Sequence, residues 1–172
     1  MPDGSLWIGT GRGGLTRLDK DGHWQTYTKV STDGSYDIRA LAPSPDGSLW
    51  VAISGSGLIQ LDKEGHWQTY TKASTNGGLP SDSVETLDVS ADSSIWVTTI
   101  FGPLIQRDKD GHWKNYTQAS TNGALPSDLI NGVAPSPDGS LWVVTFGGGL
   151  ARRDRDGHWQ TYTIKVWPVR KM

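Results

Sequence analysis

The apolar positions of this chain fall in short runs separated by turn residues. In the clearest stretch, VETLDVS at 84–90 is followed by the turn ADSS, then SIWVTT at 94–99, a glycine-bearing loop, LIQRD at 104–108, the turn KDG and HWKNYT at 112–117. Runs of β-branched and aromatic residues suit a pleated, half-buried surface, and an Asp-Gly pair provides the positive φ that a hairpin needs. The pattern predicts four short antiparallel strands, A to D, and the chain contains it repeatedly.

Trp7, Trp50, Trp96 and Trp142 each sit in an LW or IW step, at spacings of 43, 46 and 46 residues. Eight residues after each comes a leucine (Leu15, Leu58, Leu104, Leu150), and twelve after comes an aspartate (Asp19, Asp62, Asp108, Asp154). A second tryptophan follows in G-H-W-x-x-Y-T (Trp24, Trp67, Trp113, Trp159). Self-similarity at this period marks a modular array whose units bury their faces against neighbours. Four antiparallel strands of this length make a propeller blade, whereas a sandwich or jelly roll needs no identical turn chemistry in every unit. The expected fold is all-β: a β-propeller of four-stranded antiparallel blades, four repeats per chain, the first lacking its innermost strand. The whole chain forms one array, with a partial blade at 1–28, blades at 37–71, 83–117 and 129–163, and a tail at 164–172.

Composition narrows the function classes. Twenty-two glycines, nine prolines and nine tryptophans fit a turn-rich β protein. The net charge of −2 is evenly scattered, with no basic stripe for phosphates and no polybasic arm, so nucleic acid and membrane insertion are not expected. With no cysteine, disulfides, thiolate metal sites and cysteine nucleophiles are excluded. No run reaches the roughly 20 apolar residues of a membrane helix, and PDGS follows Met1 where a leader would be charged and then apolar, so a soluble chain is expected.

The run GLPSDSVETLDVSADSSIWV, with DGSLWIGTGRGGLTRLD and DGSLWVVTFGGGLARRD, resembles the two-component regulator propeller repeat over nearly the whole chain. Copy two departs from it with VAISGSGLIQ and copy three with TTIFGPLIQ, where Pro103 replaces a glycine. The resemblance implies a sensor domain of a bacterial hybrid histidine kinase, periplasmic or extracellular, in a seven-bladed propeller with a carbohydrate or related small-molecule ligand.

Because strands alternate in direction, the D-to-A links and B-to-C loops share one face of the array, and the A-to-B and C-to-D turns share the other. The turn face is nearly invariant, whereas the B-to-C loops differ: GTGRGG, AISGSG, TTIFGP and VTFGGG. Unequal loops on a rigid scaffold can build one asymmetric site. Candidate binding residues are therefore Arg12, Ser54, Ser56, Phe101 and Phe146, joined by the strand-A residues Arg39, Glu85 and Asn131, which differ between copies. The alternative for the phenylalanines is packing against neighbouring blades, and for the strand-A residues simple solvation.

Several chemical motifs reduce to turns. Gly9-Thr10-Gly11-Arg12-Gly13-Gly14 satisfies GxGxxG, but a strand follows where a dinucleotide site needs a helix. The DxDG at Asp19, Asp108 and Asp154 lacks the remaining ligands of a calcium loop. His23, His66, His112 and His158 are spread around the rim by the repeat and cannot converge on one metal. No histidine lies on the variable face, so a serine there lacks its general base, and streptogramin-lyase-like propellers, which use histidine near the axis, match poorly. Glu85 and Asp88 are the remaining carboxylates for acid–base work. Asn115 heads a sequon inside a repeated structural segment. No catalytic residue, metal or cofactor is expected, and the chain reads as a binding module and not an enzyme.

An open array exposes strand edges and apolar faces, which proteins avoid by closure. The tail IKVWPVRKM is short for self-closure, and Pro168 would remove a ladder donor. A homo-oligomer is therefore expected, foremost a two-fold dimer of eight blades, with a four-bladed monomer or a fragment of a longer chain as alternatives. Near-identity of the copies also suits a recently amplified or engineered assembly module without a ligand.

Overall fold

A computed structural model describes residues 1, 3–11, 14–27 and 37–162. Arg12 and the tail lie outside the described residues. Fifteen strands and no helix are present among the described residues. Blade 1 comprises β1 (Leu6–Thr10), β2 (Gly14–Leu18) and β3 (Trp24–Tyr27). Blade 2 comprises β4 (Ile38–Pro43), β5 (Leu49–Ile53), β6 (Gly57–Leu61) and β7 (Trp67–Tyr70). Blade 3 comprises β8 (Val84–Val89), β9 (Ile95–Thr99), β10 (Leu104–Arg107) and β11 (Trp113–Tyr116). Blade 4 comprises β12 (Ile130–Pro135), β13 (Leu141–Thr145), β14 (Gly149–Arg153) and β15 (Trp159–Tyr162). Each sheet is antiparallel with strands in chain order, and blade 1 has three.

The repeated turns fix the hairpins. In the A-to-B turn, Asp46 Oδ1 accepts hydrogen bonds from the Ser48 backbone N–H at 2.9 Å and the Ser48 hydroxyl at 2.7 Å. Asp3–Ser5 and Asp138–Ser140 repeat this geometry. In the C-to-D turn, Asp62 Oδ1 accepts the His66 backbone N–H at 2.8 Å while its Oδ2 meets the imidazole Nδ1 at 3.0 Å. The same pair recurs at Asp19–His23, Asp108–His112 and Asp154–His158, so each histidine is a local turn partner.

Strand alternation then builds the core. One face of each blade carries Trp and Tyr, and in blades 1 to 3 it packs on the Leu/Val/Ile face of the next blade. Trp7, Leu15 and Tyr27 of blade 1 meet Leu49, Val51, Ile53 and Ile59 of blade 2. Trp50, Leu58 and Tyr70 meet Val84, Ile95, Val97 and Ile105, and Trp96, Leu104 and Tyr116 meet Leu141, Val143 and Ala151. β5 and β9 are consequently buried along their whole length, whereas β1 and β13 alternate. Among the described residues blade 4 has no contact with blade 1 comparable to those between successive blades.

The D-to-A links read as polar, yet Leu79 and Leu125 within them are fully buried. Each is held by a threonine hydroxyl one turn earlier, with Thr75 Oγ1 accepting the Leu79 N–H at 2.9 Å and Thr121 Oγ1 accepting the Leu125 N–H at 3.0 Å.

Candidate functional site

The links and the B-to-C loops do share one face, and hydrogen bonds tie them together. The Ser54 N–H donates to the Asp37 carbonyl at 3.0 Å, Ile100 to Ser83 at 3.2 Å, and Phe146 to Leu129 at 2.8 Å. These three bonds are equivalent, so each loop is anchored on the entry to its own inner strand.

A hollow of about 620 Å³ opens on this face. Three inner strands contribute one residue each at the same level: Arg39 from β4, Glu85 from β8 and Asn131 from β12. In every one of these strands the pairing register shifts across that residue, between Ile38 and Ala40, Val84 and Thr86, and Ile130 and Gly132. A bulge frees one residue from the ladder and re-aims its side chain. The same local device therefore presents a cation, an acid and an amide to one space. Arg39 is steadied by an ion pair with Asp37 at 2.9 Å, partly exposed and accordingly weak.

The other lining is apolar. Phe101 and Phe146 are 83% and 67% exposed, and Ile100 and Leu129 join them. The two phenylalanines occupy different loop positions: Phe146 aligns with Ile100, whereas Phe101 aligns with Gly55 and Gly147. Those glycines have φ of 78° and 71°, and Phe101 is held at 54° in the same left-handed slot. A bulky residue there is strained, and strain of this kind collects at ligand sites. Exposed aromatic faces beside a few polar groups can stack on a ligand and fix its orientation.

The hollow thus gathers Arg39, Glu85, Asn131, Phe101 and Phe146. Ser54 and Ser56 do not line it; Ser56 is buried within its turn. Arg12 lies outside the described residues. Sequence pattern does not single out Thr86, Thr99, Ile100, Leu129 and Ile130, which complete the lining. Their positions beside the bulges and loop anchors are the available signal. None of the four histidines lines the hollow. Asp88, raised by desolvation from the usual carboxylate range, accepts the Val89 N–H and also does not line it. Asp154, Asp156 and His158 offer ligand atoms within 4.8 Å of one another, but they are surface groups, and both Asp154 oxygens already serve the turn.

Antiparallel sheets, three of them four-stranded and the first three-stranded, packed face to face in chain order define a β-propeller array. No family profile and no curated protein matches the chain. Solved structures do. One is a streptogramin B lyase, with 20% identity and a TM-score of 0.72 over 96% of this chain and 53% of the lyase. Another is the extracellular domain of a hybrid two-component system protein of B. thetaiotaomicron, with 20% identity and a TM-score of 0.72 over 94% of this chain and 23% of that one. Virginiamycin B lyase of Staphylococcus aureus follows at 17% identity, a TM-score of 0.69, and 96% and 54% coverage. This chain therefore spans about half of the lyases and a quarter of the two-component extracellular domain. The likeness establishes the propeller fold, and the repeat resemblance agrees with these neighbours at that level.

Proposed function

We propose that this chain is a non-catalytic, ligand-binding propeller module of the sensor type, acting outside the cytoplasm. The observation that carries the reading is the hollow in which three bulged positions present Arg39, Glu85 and Asn131 beside the exposed rings of Phe101 and Phe146. Mixed charge, an amide and stackable rings suit a small ligand with hydroxyls and a flat apolar face, as a carbohydrate has. The extracellular two-component domains among the solved neighbours support the sensor assignment and the location. The two lyases among them favour a reaction only through shared fold, which does not carry activity. The hollow also lacks a histidine to act as general base. A glycan and small-molecule array, followed by calorimetry, tests the proposal. A saturable ligand whose affinity falls at least about tenfold on Phe146→Ala or Arg39→Ala supports it; a ligand indifferent to both, or none, refutes it.

One observation favours a second property, self-assembly: the outward faces of blades 1 and 4 leave Leu6 55% and Val144 47% exposed, although their counterparts Leu49 and Ala52 are buried.

A further inference from the structure

The last two residues of strand C face opposite ways. The first lies on the tryptophan side of its own blade, and the second lies against the preceding blade. These pairs are Arg17-Leu18, Gln60-Leu61, Gln106-Arg107 and Arg152-Arg153. Each internal interface joins the first member from one blade to the second member from the next, and each contains one arginine. Between blades 1 and 2, Arg17 lies over its own Trp7 at 5.8 Å, and Leu61 is its apolar counterpart. Between blades 2 and 3, Arg107 comes from the next blade to lie 5.5 Å from Trp50 and 5.1 Å from Tyr70. Gln60 there accepts the Tyr70 hydroxyl at 3.0 Å. Between blades 3 and 4, Arg153 sits 5.7 Å from both Trp96 and Tyr116, and Gln106 accepts the Tyr116 hydroxyl at 2.8 Å.

The outward face of blade 4 already holds its own arginine, with Arg152 at 5.6 Å over Trp142 and bonded to Asp138 at 3.0 Å. By the rule the internal interfaces follow, its partner must present leucine, since a second guanidinium in the same space would add like charge. Only Leu18 and Leu61 stand at that position, and Leu61 is already used between blades 1 and 2. Leu18 belongs to the outward face of blade 1, with Leu6, Ile8 and Trp24. Trp24 is 61% exposed, against 37% for its counterpart Trp67, which receives the edge of Tyr27 from the preceding blade at 5.7 Å. Tyr162, exposed on blade 4, is the residue equivalent to Tyr27.

We propose that blade 4 of one copy docks head-to-tail on blade 1 of a second copy, with Arg152 as the single arginine of the contact and Leu18 as its counterpart. The proposal rests on the self-assembly reading above and gives it residues and direction. Among the described residues the two faces stay open, with Leu6 and Val144 exposed, so the match is satisfied between molecules. Two such contacts close a ring of eight blades and cover both open faces.

Light scattering and sedimentation equilibrium on the whole chain should give about 37 kDa, twice the 18.7 kDa chain mass. Leu18→Arg opposes Arg152 with a second guanidinium and should weaken association about a hundredfold. Arg152→Gln leaves the contact without an arginine and should weaken it about tenfold. Mixing the two variants gives each contact one arginine again. One contact then sets the L18R face against the R152Q face, the other joins the two unaltered faces, and the wild-type mass should be recovered. Both side chains lie on outward faces, and an unchanged unfolding midpoint of each variant at low concentration checks that it still folds. A wild-type chain that stays at 18.7 kDa at every concentration overturns both self-assembly and this contact. An oligomer insensitive to either substitution, or variants that mixing fails to restore, overturns the contact while leaving self-assembly standing.

Discussion

Replacing Arg107 with leucine measures what one arginine contributes to a blade interface. Its guanidinium lies 5.5 Å from the Trp50 centroid and 5.1 Å from that of Tyr70, inside the roughly 6 Å range of cation–π attraction. At a half-buried site each ring contributes about 0.5–1 kcal/mol, while leucine keeps much of the packing of the arginine stem. Arg107→Leu should therefore cost about 1–2 kcal/mol. Gln60→Arg, which removes the bond to the Tyr70 hydroxyl and adds a like charge, should cost about 2 kcal/mol. The double variant moves the arginine to the other blade and recreates the arrangement of Arg17 and Leu61. It should fall only about 1 kcal/mol below wild type, giving a coupling of about 2–3 kcal/mol in a double-mutant cycle. Urea unfolding followed by tryptophan fluorescence is the assay, with the four proteins compared at one concentration. Additive losses would refute the view that each interface needs one arginine, from whichever blade.

Phe101→Asn should stabilise the fold by about 0.5–1 kcal/mol, because asparagine tolerates the left-handed slot, while removing a ring from the hollow and weakening ligand binding; thermal melts and calorimetry read the two effects separately. Gly57→Ala should cost about 3 kcal/mol in chemical unfolding, since φ is 82° and an added Cβ would collide with the Tyr70 carbonyl oxygen. Leu79→Ala should cost about 2–5 kcal/mol by the same measurement, as it empties a fully buried site between blades.

The blade was legible because its signals are local. Asp-Gly turns, alternating strands and repeated tryptophans specify each hairpin without reference to the rest of the chain. The site was legible only in part. Phe101 and Phe146 stood out as the sole phenylalanines. Arg39, Glu85 and Asn131 stood out as differing residues at one strand position, but a bulge that aims all three into one space leaves no mark in their residue types. Ser54 and Ser56 show the opposite limit: Ser54 aligns with Phe146 and Ser56 with Gly148, and neither loop position reveals whether a short side chain turns outward or inward. Leu79 and Leu125 were hidden by polar neighbours, since burial in a link depends on the blade that closes over it.

Acid should act on this fold with two opposite signs, and Asp88 separates them. In the C-to-D turns, the backbone N–H of His66 and its ring hold Asp62 below the ordinary 3.8, and Asp19, Asp108 and Asp154 are lowered in the same way. A lowered folded-state pKa contributes stability that is fully present above the unfolded value and is lost as pH falls through the folded one. Asp88 differs: desolvation raises its pKa, with only the Val89 N–H opposing. Its ionised form therefore works against folding at neutral pH, and this penalty disappears as pH falls through its raised value and below 3.8. Alanine stands at the equivalent positions, Ala42 and Ala134, and Ala42 belongs to the apolar cluster between blades 2 and 3. Asp88→Ala should accordingly raise the thermal midpoint at pH 7 and have a smaller effect at pH 3. Asp62→Asn should lower the midpoint at pH 7 and lose most of its effect in acid. Equal gains from Asp88→Ala at both pH values would show that packing, and not the cost of burying charge, sets its contribution.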